Sequence, residues 1–362
     1  MIVVLFFAEH SFLYKRFTKL NYSTISLTKN NFSSSLISFI QEIFGRRPYR
    51  SLLARDFRAN DSFPVDIYFY RPKGQEYSLF LNKGEALSSN KLSALWSQGI
   101  GHLEVRDQDF SELISYTLPR GMLKRSEELH YIRKQYKILL GEIFDDSKSD
   151  YRVRGEEIYQ SILRITERLR SLINLFPAPL EALNELPFTD DSFLGHGINL
   201  CVYALVIGKE LAKHSNNRED IVVALSVAAI LHDVGKAYAY REYSHQQFSL
   251  YKTHLNAGLE LIQQRKLPLT PLTSTIIREH HEQHNGLGYP EGISADKLCM
   301  EVNFFNIINN LDYFHRDALN QEHRPFIKSW EQFYIQETNC EWIKNKFNPQ
   351  TLHTMKNLRT LN

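Results

Sequence analysis

Two side-by-side histidines and a glutamate, followed by a glycine–tyrosine–proline turn, stand at His280 to Pro290 in HHEQHNGLGYP. Neutral imidazoles are good metal ligands, but such a pair can equally be polar residues at a helix end. Partners elsewhere decide between these readings. Ten of the fourteen histidines fall between His196 and His323. The apolar helix in REDIVVALSVAAILHDVGK ends in His232-Asp233, is stopped at Gly235 and is followed by Lys236. A carboxylate at the end of a buried helix is costly unless paired, although a histidine there also complements the helix dipole. His196 opens the apolar run HGINLCVYALVIGKELAKH, His254 sits in YKTHLNAGLELIQQ, and Asp312 lies within FFNIINNLDYF. A single histidine on such a face is ordinarily a hydrogen-bonded core residue. Five histidines and two aspartates together are better explained by convergence on metal.

The elements that must position these residues are mostly helices. Residues 1–60 carry few signals beyond a short helix over LISFIQEIF. From Pro64, VDIYFYRPKGQEYSLFLNKG gives two β-rich runs around a Lys73-Gly74 turn. SSNKLSALWSQG reads as a helix capped near Ser88 or Ser89, HLEVR as a returning strand and DQDFSELISYTL as a closing helix. Residues 61–119 therefore form a small α+β domain, read as regulatory. Residues 120–185 form a helical linker or dimerisation region, with MLKRSEELHYIRKQYKILLGEIF and RGEEIYQSILRITERLRSLINLF as amphipathic helices packing on each other or on a second copy. PAPLEALNELP interrupts with three prolines, and residues 186–362 form an all-helical C-terminal bundle. The fold class is mainly α.

Composition narrows the partners. The 362 residues are 43% hydrophobic and 23% charged, with a net charge of +2, which suits a globular chain and gives no reason to expect DNA binding. Arg46, Arg47, Arg50, Arg55 and Arg58 form one basic cluster, read as solvated surface. Cys201, Cys299 and Cys340 lie far apart, which argues against zinc–thiolate or disulfide scaffolds. No apolar run approaches the ~18 residues of a membrane span, and the opening MIVVLFFAEHSF makes a poor signal peptide. A cytoplasmic location is expected.

The pieces GHGINLCVYAL, AAILHDVGK, YKTHLNAG, HHEQHNGLGYP and IINNLDYF resemble, in order and spacing, the HD-GYP family of metal-dependent phosphohydrolases. The resemblance covers residues of about 188 to 330. It implies an HD-type helical bundle with two divalent metal ions, iron or manganese, bridged by Asp233. His196, His232 and Asp312 would complete one ion, and His254, His280 and His281 the other. The implied activity is hydrolysis of c-di-GMP to pGpG, and in some members on to GMP, by a hydroxide shared between the ions. Lys236 would reach a phosphate oxygen, Gly288 would allow the tight turn that presents Tyr289 to substrate, and Arg324 and Lys328 would bind the second phosphate.

Several residues depart from the family pattern. Asn285 replaces the aspartate of the turn, Leu255 follows His254 where proline is usual, and His315 stands for a second aspartate. The path from Asp312 to Arg324 is about three residues longer. Ser192 stands where some members carry a third-metal glutamate, with Asp190 and Asp191 close by, so two metals are expected and a third is left open. Glu282 is expected to orient a histidine. Two alternatives stay open: a non-hydrolytic c-di-GMP receptor acting through partner proteins, and a phosphohydrolase of another nucleotide.

Overall fold

A computed structural model describes residues 48–71, 74, 76–117, 120, 122–144, 151–187, 193–213, 217–236, 249–294, 297–319, 325–339 and 346–355. The expected helix over LISFIQEIF lies outside these residues. Four strands, β1 (Tyr49–Leu53), β2 (Ile67–Arg71), β3 (Glu76–Leu81) and β4 (His102–Arg106), make an antiparallel sheet in the order β1-β4-β2-β3. The β2–β3 hairpin pairs Tyr70 with Tyr77 and Arg71 with Glu76. Helix α1 (Ser89–Ser97) begins where the Ser88 hydroxyl accepts from the Lys91 amide at 3.3 Å, and α2 (Phe110–Thr117) follows β4. Leu52, Phe57, Phe63, Ile67, Leu81, Leu103 and Val105 fill the core beneath the sheet.

The sheet takes one strand from ahead of residue 61. YRSLL carries its apolar pair only at one end, so alternation in the sequence is weak. Its strand geometry comes from pairing with β4, from Tyr49 opposite Arg106 to Leu53 opposite His102. Two arginines of the basic cluster also differ from a solvated patch. Arg50 pairs with Asp107 and lies 4.6 Å over the Phe110 ring, while Arg55 bonds Glu181 at 2.5 Å. Long side chains near the surface can brace one layer against the next in this way.

The remaining chain is helical: α3 (Lys124–Phe144), α4 (Tyr151–Ile173), α5 (Pro179–Glu185), α6 (Phe193–Val206), α7 (Gly208–Leu211), α8 (Arg218–Leu231), α9 (Ser249–Gln264), α10 (Pro271–Glu279), α11 (Met300–Leu319), α12 (Phe326–Asn339) and α13 (Pro349–Met355). The proline-rich interruption is itself α5, since Pro179 can occupy a first turn whose amides need no intrahelical acceptor. Helices α6 and α8 lie at the centre. Every residue of α6 is buried, which its near-continuous apolar sequence demands. The apolar stripes of α3 (Leu129, Ile132, Leu139, Ile143) and α4 (Ile158, Ile162, Ile165, Leu169) join the same core. Tyr136 of α3 donates its hydroxyl to the Ile230 carbonyl of α8 at 2.6 Å. These stripes are used within the chain, leaving Tyr131 and Ile138 as large exposed apolar residues of α3. No described helix is long and apolar enough to cross a membrane.

The joint between sheet and helices turns on His130. Its Nε2 lies 2.8 Å from Arg50 Nη1, and a guanidinium can only donate, so the ring accepts and is neutral. Burial, then the charges of Arg50, Arg133 and Lys134, push its pKa down to about 4. A pKa depressed below the unfolded value of ~6.5 gives stability that is present above that pH and lost as pH falls toward 4. Denaturation measured from about pH 7 to about pH 5 should show the parent losing about 2 kcal/mol more than His130→Gln. Equal losses would contradict this reading.

Candidate metal centre

The site forms where helix ends meet. His232 and Asp233 follow directly on α8, and Gly235 just beyond them packs against α9. A Cβ at Gly235 would lie 1.8 Å from the His254 carbonyl oxygen and 2.4 Å from the Gly258 nitrogen. Only glycine lets this turn rest on α9, and that contact brings His254 beside Asp233. Helix α10 starts at Pro271 with the Thr270 hydroxyl accepting from the Thr273 amide at 3.1 Å, and its other end delivers His280 and His281. His196 comes from the first turn of α6.

These side chains converge. Asp233, His254, His280 and His281 offer ligand atoms within 4.8 Å of one another, and so do His196, His232 and Asp233. Asp233 belongs to both groups. Its Oδ2 is 3.3 Å from His232 Nε2, and its Oδ1 is 3.5 Å from His254 Nε2 and 3.8 Å from His280 Nε2. All of these residues except His281 are buried.

Proton placement shows what the cluster suits. His232 Nδ1 lies 3.1 Å from the Ala229 carbonyl and His280 Nδ1 2.9 Å from the Ile277 carbonyl. A carbonyl only accepts, so Nδ1 carries a proton in each ring and Nε2 is the nitrogen left facing inward. Burial, foremost, drives His196 down to about 4 and holds His280 and His281 well below the usual histidine range. Burial alone would raise the Asp233 carboxyl, but the fields of His232, Lys236 and His254 outweigh it and hold the group well below the usual range. Neutral imidazoles at His196, His280 and His281 thus stand in the same cluster as an ionised carboxylate. The Nε2 atoms of His196, His232, His280 and His281 are buried without a hydrogen-bond partner among the described residues. Inward lone pairs from imidazole and carboxylate fit a divalent cation, and this donor set suits iron, manganese or zinc.

The other expected site residues take varied places. Lys236 Nζ lies 2.5 Å from Asp233 Oδ2. Asp312 stands behind His196 rather than among the converging atoms. Its Oδ2 is 2.6 Å from His196 Nδ1 and 2.9 Å from Arg316 Nε, while its Oδ1 accepts from Asn199 at 2.8 Å and Tyr203 at 3.1 Å. Tyr289 stacks on His281, with ring centroids 4.7 Å apart. Gly288 packs against the histidine pair's own backbone, where a Cβ would meet the Gln283 nitrogen at 2.3 Å. Lys328 is exposed on α12, and Arg324, like Ser192, Asp190 and Asp191, lies outside the described residues.

Glu282 acts on the turn rather than on a histidine. Its carboxylate accepts from the amides of Glu291 at 2.6 Å, Gly292 at 3.1 Å and Ile293 at 2.9 Å. Asn285 accepts from the Leu287 amide at 3.0 Å, so the amide side chain serves the turn there. Asn199, Tyr203 and Arg316 were not anticipated. Their spacing carried the signal, since Asn199 and Tyr203 lie one and two turns from His196, and Arg316 one turn from Asp312.

Two outcomes follow from this packing. Gly235→Ala should lower thermal stability by several degrees or more and reduce metal uptake, because the α8–α9 contact must open. Parental unfolding and uptake would show that the contact is dispensable. Glu282→Gln should raise amide exchange at Glu291, Gly292 and Ile293 about tenfold, as charge-assisted bonds are lost. Unchanged exchange there would remove Glu282 from that role.

Comparison with known proteins agrees with this geometry. The HD domain family matches residues 199–316. The cyclic di-GMP phosphodiesterase PA4108 of Pseudomonas aeruginosa is 22% identical over 202 residues, 54% of this chain and 43% of that protein. The 3'3'-cGAMP-specific phosphodiesterase 3 of Vibrio cholerae is 30% identical over 138 residues, 36% of this chain and 28% of that protein. The chain thus spans less than half the length of either relative. Bd1817, an HDG"Y"P protein from Bdellovibrio bacteriovorus, superposes with a TM-score of 0.43 at 16% identity over 86% of this chain and 99% of that one, a likeness too loose to add to the assignment. The HD family match over residues 199–316 and the named relatives, with the motifs from His196 to Asp312, support an HD-GYP domain in this part of the chain.

Proposed function

We propose that the chain is a metal-dependent cyclic-dinucleotide phosphodiesterase that opens c-di-GMP to pGpG, with GMP as the product of a second cut. The observation that carries this reading is the set of buried, inward Nε2 lone pairs around one carboxylate, Asp233, which two ligand groups share. Two divalent ions, iron or manganese, held by these groups would supply charge for the phosphate oxygens and lower the pKa of water.

The chain's own residues have separable tasks. Asp233, held ionised, supplies an oxygen to each ligand group. Asp312 fixes the orientation of His196 through Nδ1, and carboxylates in this position sharpen ligand basicity. Lys236, close enough to neutralise Asp233, is placed to pass its charge to a phosphate oxygen. Tyr289 holds the His281 ring by stacking and lines the approach to it. Arg324 and Lys328 would take the second phosphate. Residues 61–119, together with β1, are read as a regulatory unit, 120–185 as a linker and homodimer contact, and 186–362 as the catalytic unit, in a chain acting in the cytoplasm beside signalling partners.

Among relatives, the names divide between c-di-GMP and 3'3'-cGAMP, so both substrates belong in the assay. Protein loaded with iron or manganese should hydrolyse c-di-GMP, and Asp233→Ala should lower the rate at least ~100-fold while the fold persists by circular dichroism. Faster turnover of 3'3'-cGAMP would reassign the substrate. Tight binding without turnover under any metal would replace the enzyme reading with that of a receptor.

A further inference from the structure

Helix α5 lies between the sheet and the metal centre and is held from both sides. On the sheet side, Arg55, just past β1, bonds Glu181 at 2.5 Å and lies 3.5 Å from Glu185. His102 of β4 donates through Nε2 to the Pro187 carbonyl at 3.0 Å. A Cβ at Gly101 would come within 3.4 Å of the Asn184 carbonyl oxygen, so the chain entering β4 rests on the last turn of α5. The Glu185 side chain is only 15% exposed, and without Arg55 it would be an unpaired carboxylate in a largely buried place. The sheet thus fixes where α5 ends.

The other side of α5 bears on α12. The Asn184 side-chain oxygen accepts from the Phe326 amide at 2.9 Å, a first-turn amide of α12 that no carbonyl of its own helix can reach. The buried Phe326 ring packs on Tyr203 and His315, at 5.1 and 5.7 Å between centroids. The Tyr203 hydroxyl bonds Asp312 at 3.1 Å, and Asp312 holds His196 at 2.6 Å. Contacts therefore run unbroken from Arg55 and His102 through Asn184, Phe326 and Tyr203 to the His196 side of the centre. From this path we propose that Asn184 is a positioning residue for the metal centre, and that α5 is the element through which the sheet sets affinity for the ion beside His196 and His232. The proposal rests on the two-ion reading given above. The path ends at Asp312 and His196, so the ion beside His254, His280 and His281 should be indifferent to it.

The test is manganese affinity of the full chain, by competition with a chelating dye, together with amide exchange. Asn184→Leu should weaken one ion about threefold or more, leave the other at parental affinity and raise exchange at Phe326. Asn184→Asp, which keeps the acceptor oxygen and the shape, should stay parental. Arg55→Gln should weaken the same ion but add nothing once Asn184 is replaced by leucine, which separates a shared path from two independent losses. Amides of α10, outside the path, should exchange at the parental rate throughout. Parental affinity in Asn184→Leu, equal weakening of both ions, or additive losses in the double variant would overturn the proposal alone. Where circular dichroism shows that the leucine variant does not fold, Arg55→Gln decides, and parental affinity with parental exchange at Phe326 would overturn the proposal. A parent that takes up no manganese would overturn both the proposal and the reading beneath it.

Discussion

Imidazole lone pairs aimed at a buried carboxylate repel it unless positive charge lies between them. That constraint organises the C-terminal half of the molecule. His232 and His280 each direct Nδ1 at a carbonyl three residues earlier, and those bonds turn both Nε2 atoms toward Asp233. Burial then keeps His196 and His280 from taking up the protons that would relieve the repulsion. Lys236 balances the Asp233 charge but leaves the inward Nε2 atoms without a partner among the described residues, so a bound cation would link metal uptake to local stability.

The surrounding fold supplies the precision. α6 and α8 are buried on nearly all sides, so the residues at their ends have little freedom to move. Glycine at position 235 lets the loop after Asp233 touch α9, and Glu282 gathers three amides to hold the turn that carries Tyr289. The Tyr136 hydroxyl reaches the Ile230 carbonyl, two residues before His232, so the long helix that abuts the sheet also braces the site.

Much of this was legible in the sequence because a histidine on an apolar helix is costly to bury unless a partner holds it. His196, His232, Asp233, His254, His280 and His281 do come together. The hairpin, the Ser88 cap and the two long amphipathic helices also follow from local pattern. Less legible was whatever depends on which of two partners a side chain chooses. The bonds that Asp312 makes to Asn199, Tyr203 and Arg316 were not legible either, because they depend on how two helices meet. Glu282 could orient a ring or a loop. Arg50 and Arg55 could be solvated or paired, and acidic residues distant in sequence decide that. β1 becomes a strand through its neighbour rather than its own alternation.

The central claim is that Asp233 is shared by two cations. Crystals of manganese- or iron-loaded protein, with data collected on either side of the metal absorption edge, test it most directly. The account predicts two anomalous peaks flanking the Asp233 carboxylate, one beside His196 and His232 and the other beside His254, His280 and His281. A single peak, or peaks away from Asp233, would contradict it.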